Sequence, residues 1–238
     1  MTLELRDVVK HYPTAAGEPV KAVDGVSLRV EPGELVAIYG PSGSGKTTLL
    51  KLVAAVMKPD SGEVVVNGRD VSKLSDRDAS AYRLREVGFV LQTFHLIAGL
   101  SAIDNAILKL VATGLRPGEA CQRITPLLAK LEVEAQADRP AHELSMGEGQ
   151  RVAIAKALST DPALLLADEP TGNLDVRRGR LVLSLLREVA RDRRTAVVLV
   201  THDREALAYA DRAYTLRDGE LRAYAEDEFD VESTLEAR

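Results

Sequence analysis

A single cysteine, Cys121, stands in a chain of 238 residues. It has no partner for an internal disulfide, which excludes a disulfide-stapled secreted framework. No second Cys or His lies near it, so it reads as a small filler on a helix rather than a redox or metal group. Long apolar runs are missing too. The longest charge-free stretch, residues 87–103, is interrupted by Gln92, Thr93, His95, Ser101 and two glycines. It falls short of the roughly 20 predominantly apolar residues a spanning helix needs. The first residues, Met-Thr-Leu-Glu-Leu-Arg-Asp, place acids where a secretory signal needs a basic flank and an apolar run. Together these absences point to a cytoplasmic chain. An excess of positive charge is also lacking: 31 Lys and Arg stand against 36 Asp and Glu, a net charge of −5. Six acids and one base fall in the last thirteen residues, Glu226–Arg238, so residues 1–225 carry 30 of each sign. A neutral body has no basic stripe for nucleic acid, which is therefore not an expected partner. The acidic end reads as a solubilising tail, 226–238, behind a single domain over 1–225.

What is present is ordinary globular material, 45% hydrophobic and 28% charged. Four short apolar runs stand out: Leu35–Tyr39, Val87–Leu91, Ala163–Ala167 and Ala196–Val200. None alternates with period two, as expected of strands covered on both faces of a mostly parallel sheet. Helical stretches lie between them, notably Lys46–Met57, Ala120–Leu131, Gln150–Leu158 and Arg177–Ala190, and the alternation argues an α/β fold. Leu3–Val9, Val26–Val30 and Gly62–Asn67 alternate apolar and polar residues and predict an antiparallel β flank. Residues 72–160 hold one clear strand among helix patterns, so this span is expected to be a helical subdomain inserted into an α/β core of about 1–71 and 161–222.

Open α/β sheets bind ligands beyond the carboxyl ends of their strands, and all four apolar runs end in chemistry. After Tyr39 comes Gly40-Pro41-Ser42-Gly43-Ser44-Gly45-Lys46-Thr47-Thr48, which matches G-x-x-x-x-G-K-[ST] in its strand-to-helix context. Glycines let such a loop wrap an anion, and its N–H groups and the helix N-terminus supply donors. Lys46 reaches β- and γ-phosphate oxygens, and the Thr47 hydroxyl holds Mg²⁺. After Ala167 come Asp168 and Glu169, the pattern in which a strand delivers one carboxylate to a metal and a second to an attacking water. Gln92 follows Leu91, and Thr201 and His202 follow Val200; each alone is ambiguous. Together they surround one nucleotide and its Mg²⁺ in a P-loop, RecA-like core, with GTPases, kinases and motors all still open.

Residues 144–151, Leu-Ser-Met-Gly-Glu-Gly-Gln-Arg, lead into an apolar helix. They closely resemble the signature motif of ATP-binding cassette ATPases, usually written LSGGQ or LSGGE. The resemblance covers residues 3 to about 222. It implies that Gln92 is the glutamine of the Q-loop, that Gly172–Asp175 is the D-loop, that His202 is the switch histidine and that Tyr12 stacks on adenine. It implies ATP hydrolysis in which Glu169 polarises water, Lys46 and His202 stabilise γ-phosphate charge, and Thr47, Gln92 and Asp168 hold or orient Mg²⁺. In the family two cassettes pair head to tail, and each signature segment, here Ser145, Met146, Gly147 and Glu148, caps the ATP held by the other subunit. One of each motif per chain therefore implies an ATP-induced homodimer. Met146 replaces the usual glycine; with φ > 0 it would cost of order 1–2 kcal/mol, whereas with φ < 0 its N–H still points at phosphate.

The wording QTFHLI, GLSAIDNA and DEPTGNLD resembles the MacB/LolD/FtsE group most closely. That implies a peripheral subunit on the cytoplasmic face of the membrane, energising a separate permease that docks on the helical subdomain. Thr93-Phe94-His95-Leu96-Ile97, directly after Gln92, is expected to expose apolar residues to that partner. The alternatives are a soluble cassette ATPase and a nucleotide-binding regulator without useful turnover.

Overall fold

A computed structural model describes residues 2–14, 17–93 and 95–225. Phe94 and the acidic tail, on both of which an expectation fell, lie outside the described residues.

Among the described residues ten strands form two sheets. Three long strands, β1 (Leu3–Tyr12), β2 (Val20–Val30) and β4 (Ser61–Val66), and the two-residue β5 (Arg69–Asp70) make an antiparallel sheet in the order β2-β1-β4-β5. This is the expected flank. The second sheet has six strands: β3 (Leu35–Tyr39), β6 (Val87–Val90), β7 (Leu164–Asp168), β8 (Ala196–Thr201), β9 (Arg212–Arg217) and β10 (Glu220–Ala223). Their order is β10-β9-β3-β8-β7-β6, parallel throughout except for the outer hairpin β9-β10.

The missing period-two pattern has a direct cause. Every residue of β7 and β8 is buried, and alternate residues feed two different cores. Leu165, Ala167, Val197 and Leu199 pack on one face with α5 (Met146–Leu158) and α6 (Val176–Arg193). The same cluster takes in α3 (Ala102–Ala112) and α4 (Pro117–Lys130). Leu164, Leu166, Val198 and Val200 pack on the other face with α1 (Lys46–Val53) and the antiparallel sheet. An apolar side chain is therefore demanded at every position up to the carboxyl ends, where Asp168 and Thr201 stand, each large apolar burial contributing about 1.5–3 kcal/mol. The remaining helix, α2 (Asp76–Arg85), lies within the span expected to be helical lobe. Its buried Tyr82 belongs to the second cluster, where the hydroxyl donates to the Val53 carbonyl at 3.1 Å.

α1 stops at Val53, four residues before the expected Met57. Ala55 takes φ 49, its N–H bonds the Leu52 carbonyl and the Val56 N–H bonds the Lys51 carbonyl. This paired closure is a Schellman turn, which ends a helix whatever the periodicity beyond it. α5 begins earlier than expected, at Met146, because Ser145 caps it. The strands β9 and β10 were not anticipated: Arg212 and Arg217 bracket a partly exposed strand, next to the edge strand β10, whose composition carries no apolar run.

Candidate nucleotide site

The loop after β3 is shaped by contacts that leave no space for side chains at two glycines. A Cβ on Gly45, where φ is +100, would lie 1.8 Å from the Ala22 carbonyl oxygen. One on Gly40 would lie 2.4 Å from the Leu216 carbonyl oxygen. The loop is thus pinned between β2 and β9, and its curvature follows. α2, α3, α5 and α6 each have a Ser or Asp side chain bonded to their first turn, from Ser75, Ser101, Ser145 and Asp175. α1 starts from Gly45 with no side-chain cap, so its first N–H groups are left to an external acceptor. The buried Ser44 hydroxyl in the same loop also has no partner among the described residues.

A cavity of about 290 Å³ opens over this loop, lined by Tyr12, Val20, Ala22, Ser42, Gly43, Gly45, Lys46, Thr47, Thr48, Gln92, Asp168 and Glu169. The Lys46 ammonium donates to the Gly40 and Pro41 carbonyls at 2.6 and 2.9 Å and lies 3.8 Å from Glu169 Oε1. Burial pushes its pKa down, against the raising influence of Glu169 and Asp168. The Thr47 hydroxyl donates to Asp168 Oδ2 at 2.7 Å. Burial, joined by the neighbouring Glu169 charge, raises the Asp168 pKa despite that hydrogen bond. A cation beside Thr47 and Asp168 would offset this cost, and hydroxyl, carboxylate and the Gln92 amide are the hard oxygen donors that suit Mg²⁺. Among the described residues no cluster of three or more His, Cys, Asp or Glu offers an all-protein metal cage.

Glu169 sits at φ 49, a left-handed conformation that disfavours a residue with a Cβ and is stored at functional positions. Its backbone N–H donates to the Val200 carbonyl at 3.0 Å, which locks β7 to β8 at the turn. The carboxylate is 6% exposed as a residue and accepts from the Thr201 hydroxyl and the His202 N–H, each at 3.3 Å. Glu169 Oε1 lies 2.9 Å from His202 Nδ1, whose side chain is 61% exposed. His202 thus reaches the cavity through Glu169 rather than by lining it. Thr201, noted in the sequence only as a polar strand end, proves to be a direct partner of Glu169.

Ser145, Met146, Gly147, Glu148 and Asp175 do not line the cavity. Ser145 and Glu148 form a reciprocal capping box at the start of α5: the Ser145 hydroxyl accepts from the Glu148 N–H at 3.3 Å, and the Ser145 N–H donates to Glu148 Oε2 at 2.8 Å. Asp175 caps α6 and pairs with Arg178 at 2.8 Å. The two segments adjoin each other, since a Cβ on Gly147 would meet Leu174 at 3.3 Å and the Asn173 carbonyl at 3.4 Å. Met146 is the first helical residue of α5, with ordinary helical backbone, and is 60% exposed. Downstream of Gln92, Ile97 is 53% exposed while Leu96 packs partly on the core.

Among the described residues no helix is long and apolar enough to cross a membrane. Comparison with known proteins agrees with the geometry. The chain is 44% identical over 230 residues to the lipoprotein-releasing system ATP-binding protein LolD 2 of Chlorobaculum tepidum, covering 94% of this chain and 92% of that protein. It is 44% identical over 217 residues to the macrolide export ATP-binding/permease protein MacB of Chlorobium luteolum, covering 91% of this chain but 32% of that longer protein. Among solved structures, it is similar to the ATP-binding cassette MJ0796, dimeric in a post-hydrolysis state bound to ADP and phosphate. The TM-score is 0.88 at 35% identity, covering 93% of this chain and 98% of that one. The family model for ABC transporters matches residues 23–172. With a phosphate-loop cavity that ends in Asp168 and Glu169, and relatives of this kind along nearly its whole length, the chain belongs to the ABC transporter family as one of its ATP-hydrolysing cassettes.

Proposed function

We propose that the chain binds ATP with Mg²⁺ in the cavity over residues 40–48, pairs with a second copy around two ATP molecules, and spends hydrolysis on moving a separate membrane permease. The observation that carries the catalytic reading is Glu169. It is a nearly buried carboxylate on strained backbone, held by Thr201 and His202 and one residue beyond the Thr47–Asp168 pair.

In this reading the loop N–H groups and the α1 N-terminus bind the β- and γ-phosphates, Lys46 donates to their oxygens, and Tyr12 covers the base from β1. Thr47, Asp168 and Gln92 hold Mg²⁺, which when bound neutralises charge developing on the phosphates. Glu169 accepts a hydrogen bond from the attacking water and takes up its proton as the bond to phosphorus forms. His202, already against Glu169 Oε1, keeps that carboxylate oriented and donates toward the γ-phosphate. The second copy supplies Ser145 and the N-terminal N–H groups of its α5 to the same γ-phosphate. Asp175, beside the signature segment, lies at the seam between the copies.

Near-full-length similarity to LolD proteins, together with the ATP-binding/permease architecture named for MacB, supports a permease partner of that group. Its tasks are export, lipoprotein or lipid extraction, or mechanotransmission. The cassette is then peripheral on the cytoplasmic face of the membrane, with the permease seated on the helical subdomain.

The test is steady-state Mg-ATPase of the chain and of Glu169→Gln, with mass in solution recorded with and without ATP. Loss of a general base costs about 10²–10⁴-fold in rate. The variant is expected to keep ATP binding and to persist as a dimer in ATP. Turnover at the parental rate in Glu169→Gln would remove Glu169 from this role.

A further inference from the structure

Ser145 has two donors, its backbone N–H and its hydroxyl proton, and both are spent on one atom. The N–H donates to Glu148 Oε2 at 2.8 Å, and the hydroxyl donates to the same oxygen at 2.8 Å. A serine hydroxyl carries a single proton, so a hydroxyl committed to Glu148 does not also donate to a phosphate. Its oxygen separately accepts from the Glu148 N–H at 3.3 Å, and that bond, which caps α5, does not involve the carboxylate. Ser145 itself is exposed, whereas the Glu148 side chain, turned back onto it, is 19% exposed.

Glu148 is also charged. The Ser145 N–H holds its carboxyl below the usual carboxylate range, and the Ser145 hydroxyl and the charges of Arg139 and Arg151 add to this against partial burial. At neutral pH a full negative charge therefore stands in the first turn of α5. Such a charge suits an isolated helix N-terminus, but it repels an anion brought to the same place. A cation stands beside it. Arg139, in the connection between α4 and α5, has Nη1 4.0 Å from Glu148 Oε1, the carboxylate oxygen that Ser145 does not engage. Its Nη2 donates to the Glu143 carbonyl at 2.6 Å, which holds the guanidinium in place. At 4.0 Å the Arg139–Glu148 hydrogen bond is not made. A turn about the terminal torsion of glutamate, whose energy well is broad, brings the carboxylate toward it.

We infer that Glu148 and Arg139 are positioning residues for the signature segment: Arg139 draws the Glu148 carboxylate off Ser145, and the two donors so released bind the γ-phosphate held by the other copy. The inference rests on the paired reading above and adds the step that readies Ser145. Ser145 keeps its proton throughout and exchanges one anionic acceptor for another. The two bonds are of the same charge-assisted kind and closely matched, so closure of the Arg139–Glu148 ion pair tips the exchange. The bond from the Glu148 N–H to the Ser145 hydroxyl oxygen stays in place, and α5 keeps its cap on both sides of the exchange.

The experiment uses the full chain carrying Glu169→Gln, so that pairing is read without turnover. The ATP concentration that gives half-maximal dimer is measured by light scattering for the parent, for Glu148→Gln, for Arg139→Gln and for both together, beside the ATP affinity of the dilute, unpaired chain. Glutamine at position 148 still completes the capping box but is a weaker, uncharged acceptor, and Glu148→Gln is expected to lower the midpoint at least about threefold. Arg139→Gln keeps a donor for the Glu143 carbonyl. It is expected to raise the midpoint at least about threefold when Glu148 is present and by less than about 1.5-fold when it is combined with Glu148→Gln. ATP affinity of the unpaired chain is expected to stay within about twofold in all of them, because the signature segment does not line its own copy's cavity. A midpoint unchanged or raised by Glu148→Gln overturns the inference and leaves the pairing standing. An Arg139→Gln effect of equal size with and without Glu148 does the same, since a purely structural role for Arg139 would not depend on the carboxylate. A chain that binds ATP yet stays monomeric at saturation overturns the paired reading and the inference with it.

Discussion

Single positions decide whether the nucleotide cavity exists and whether its signature partner works. Gly45 has no tolerance for a side chain, because φ +100 and the Ala22 carbonyl exclude a Cβ independently. Met146 is the opposite case. It stands where the family usually has glycine, and a left-handed backbone there would have strained every functional copy of the site. Instead it occupies the first turn of α5 with helical backbone, its side chain 60% exposed, so glycine has no conformational advantage. Met146→Gly is therefore expected to change steady-state Mg-ATPase by less than about twofold, with stability lowered by up to about 1 kcal/mol from the propensity of glycine. A rate several-fold above wild type would show that the methionine side chain itself obstructs the pairing of copies.

At the scale of elements, the ends of helices were the least legible part of the fold, and the reason is chemical. α3 closes with Gly114 at φ +105, the residue such a turn favours. α1 and α4 close with the same paired hydrogen bonds on Ala55 and Glu132, at φ 49 and 53, so no glycine marks where they stop. Ala55→Gly is expected to stabilise the chain by about 0.5–1 kcal/mol, since it relieves about 1–2 kcal/mol of left-handed strain against the entropy of glycine in the unfolded chain. That corresponds to a rise of about 2 °C in thermal midpoint, readable by calorimetry; a fall would mean that the Ala55 methyl packs more than it strains. The buried strands were legible for a reason just as specific. Leu164 and Leu165 face different cores, so both positions stay apolar, whereas β9 and β10 at the sheet edge alternate Arg, Tyr and Leu and leave no comparable trace.

For the whole molecule, the nucleotide cavity was readable because its donors are consecutive in sequence or follow apolar strands. A smaller cavity of about 200 Å³ was not, because Arg83 of α2, Lys109 of α3 and Lys156 of α5, which line it, meet only in the folded chain. Their proximity has a cost that pH exposes. Lys109 titrates at about 8 when folded and near 10.5 when unfolded. Below pH 8 both states hold the proton, and the folded state bears the full penalty of the buried charge. Between about 8 and 10.5 the folded chain has released its proton while the unfolded chain still binds it, so stability rises with pH over that window. Lys156, Arg83 and His95 face Lys109 from α5, α2 and the segment after Gln92, and all three are retained when only Lys109 is replaced. Lys109→Met is thus expected to be more stable than wild type at pH 7.5 by about 1–2 kcal/mol, after allowance for the lost bond to the Val87 carbonyl. The gap between the two thermal midpoints is expected to narrow by pH 9.5, as wild type sheds the charge that the variant never carried. A gap that stays constant across this range would show that methionine gains by packing alone and that the Lys109 ammonium bears no desolvation cost.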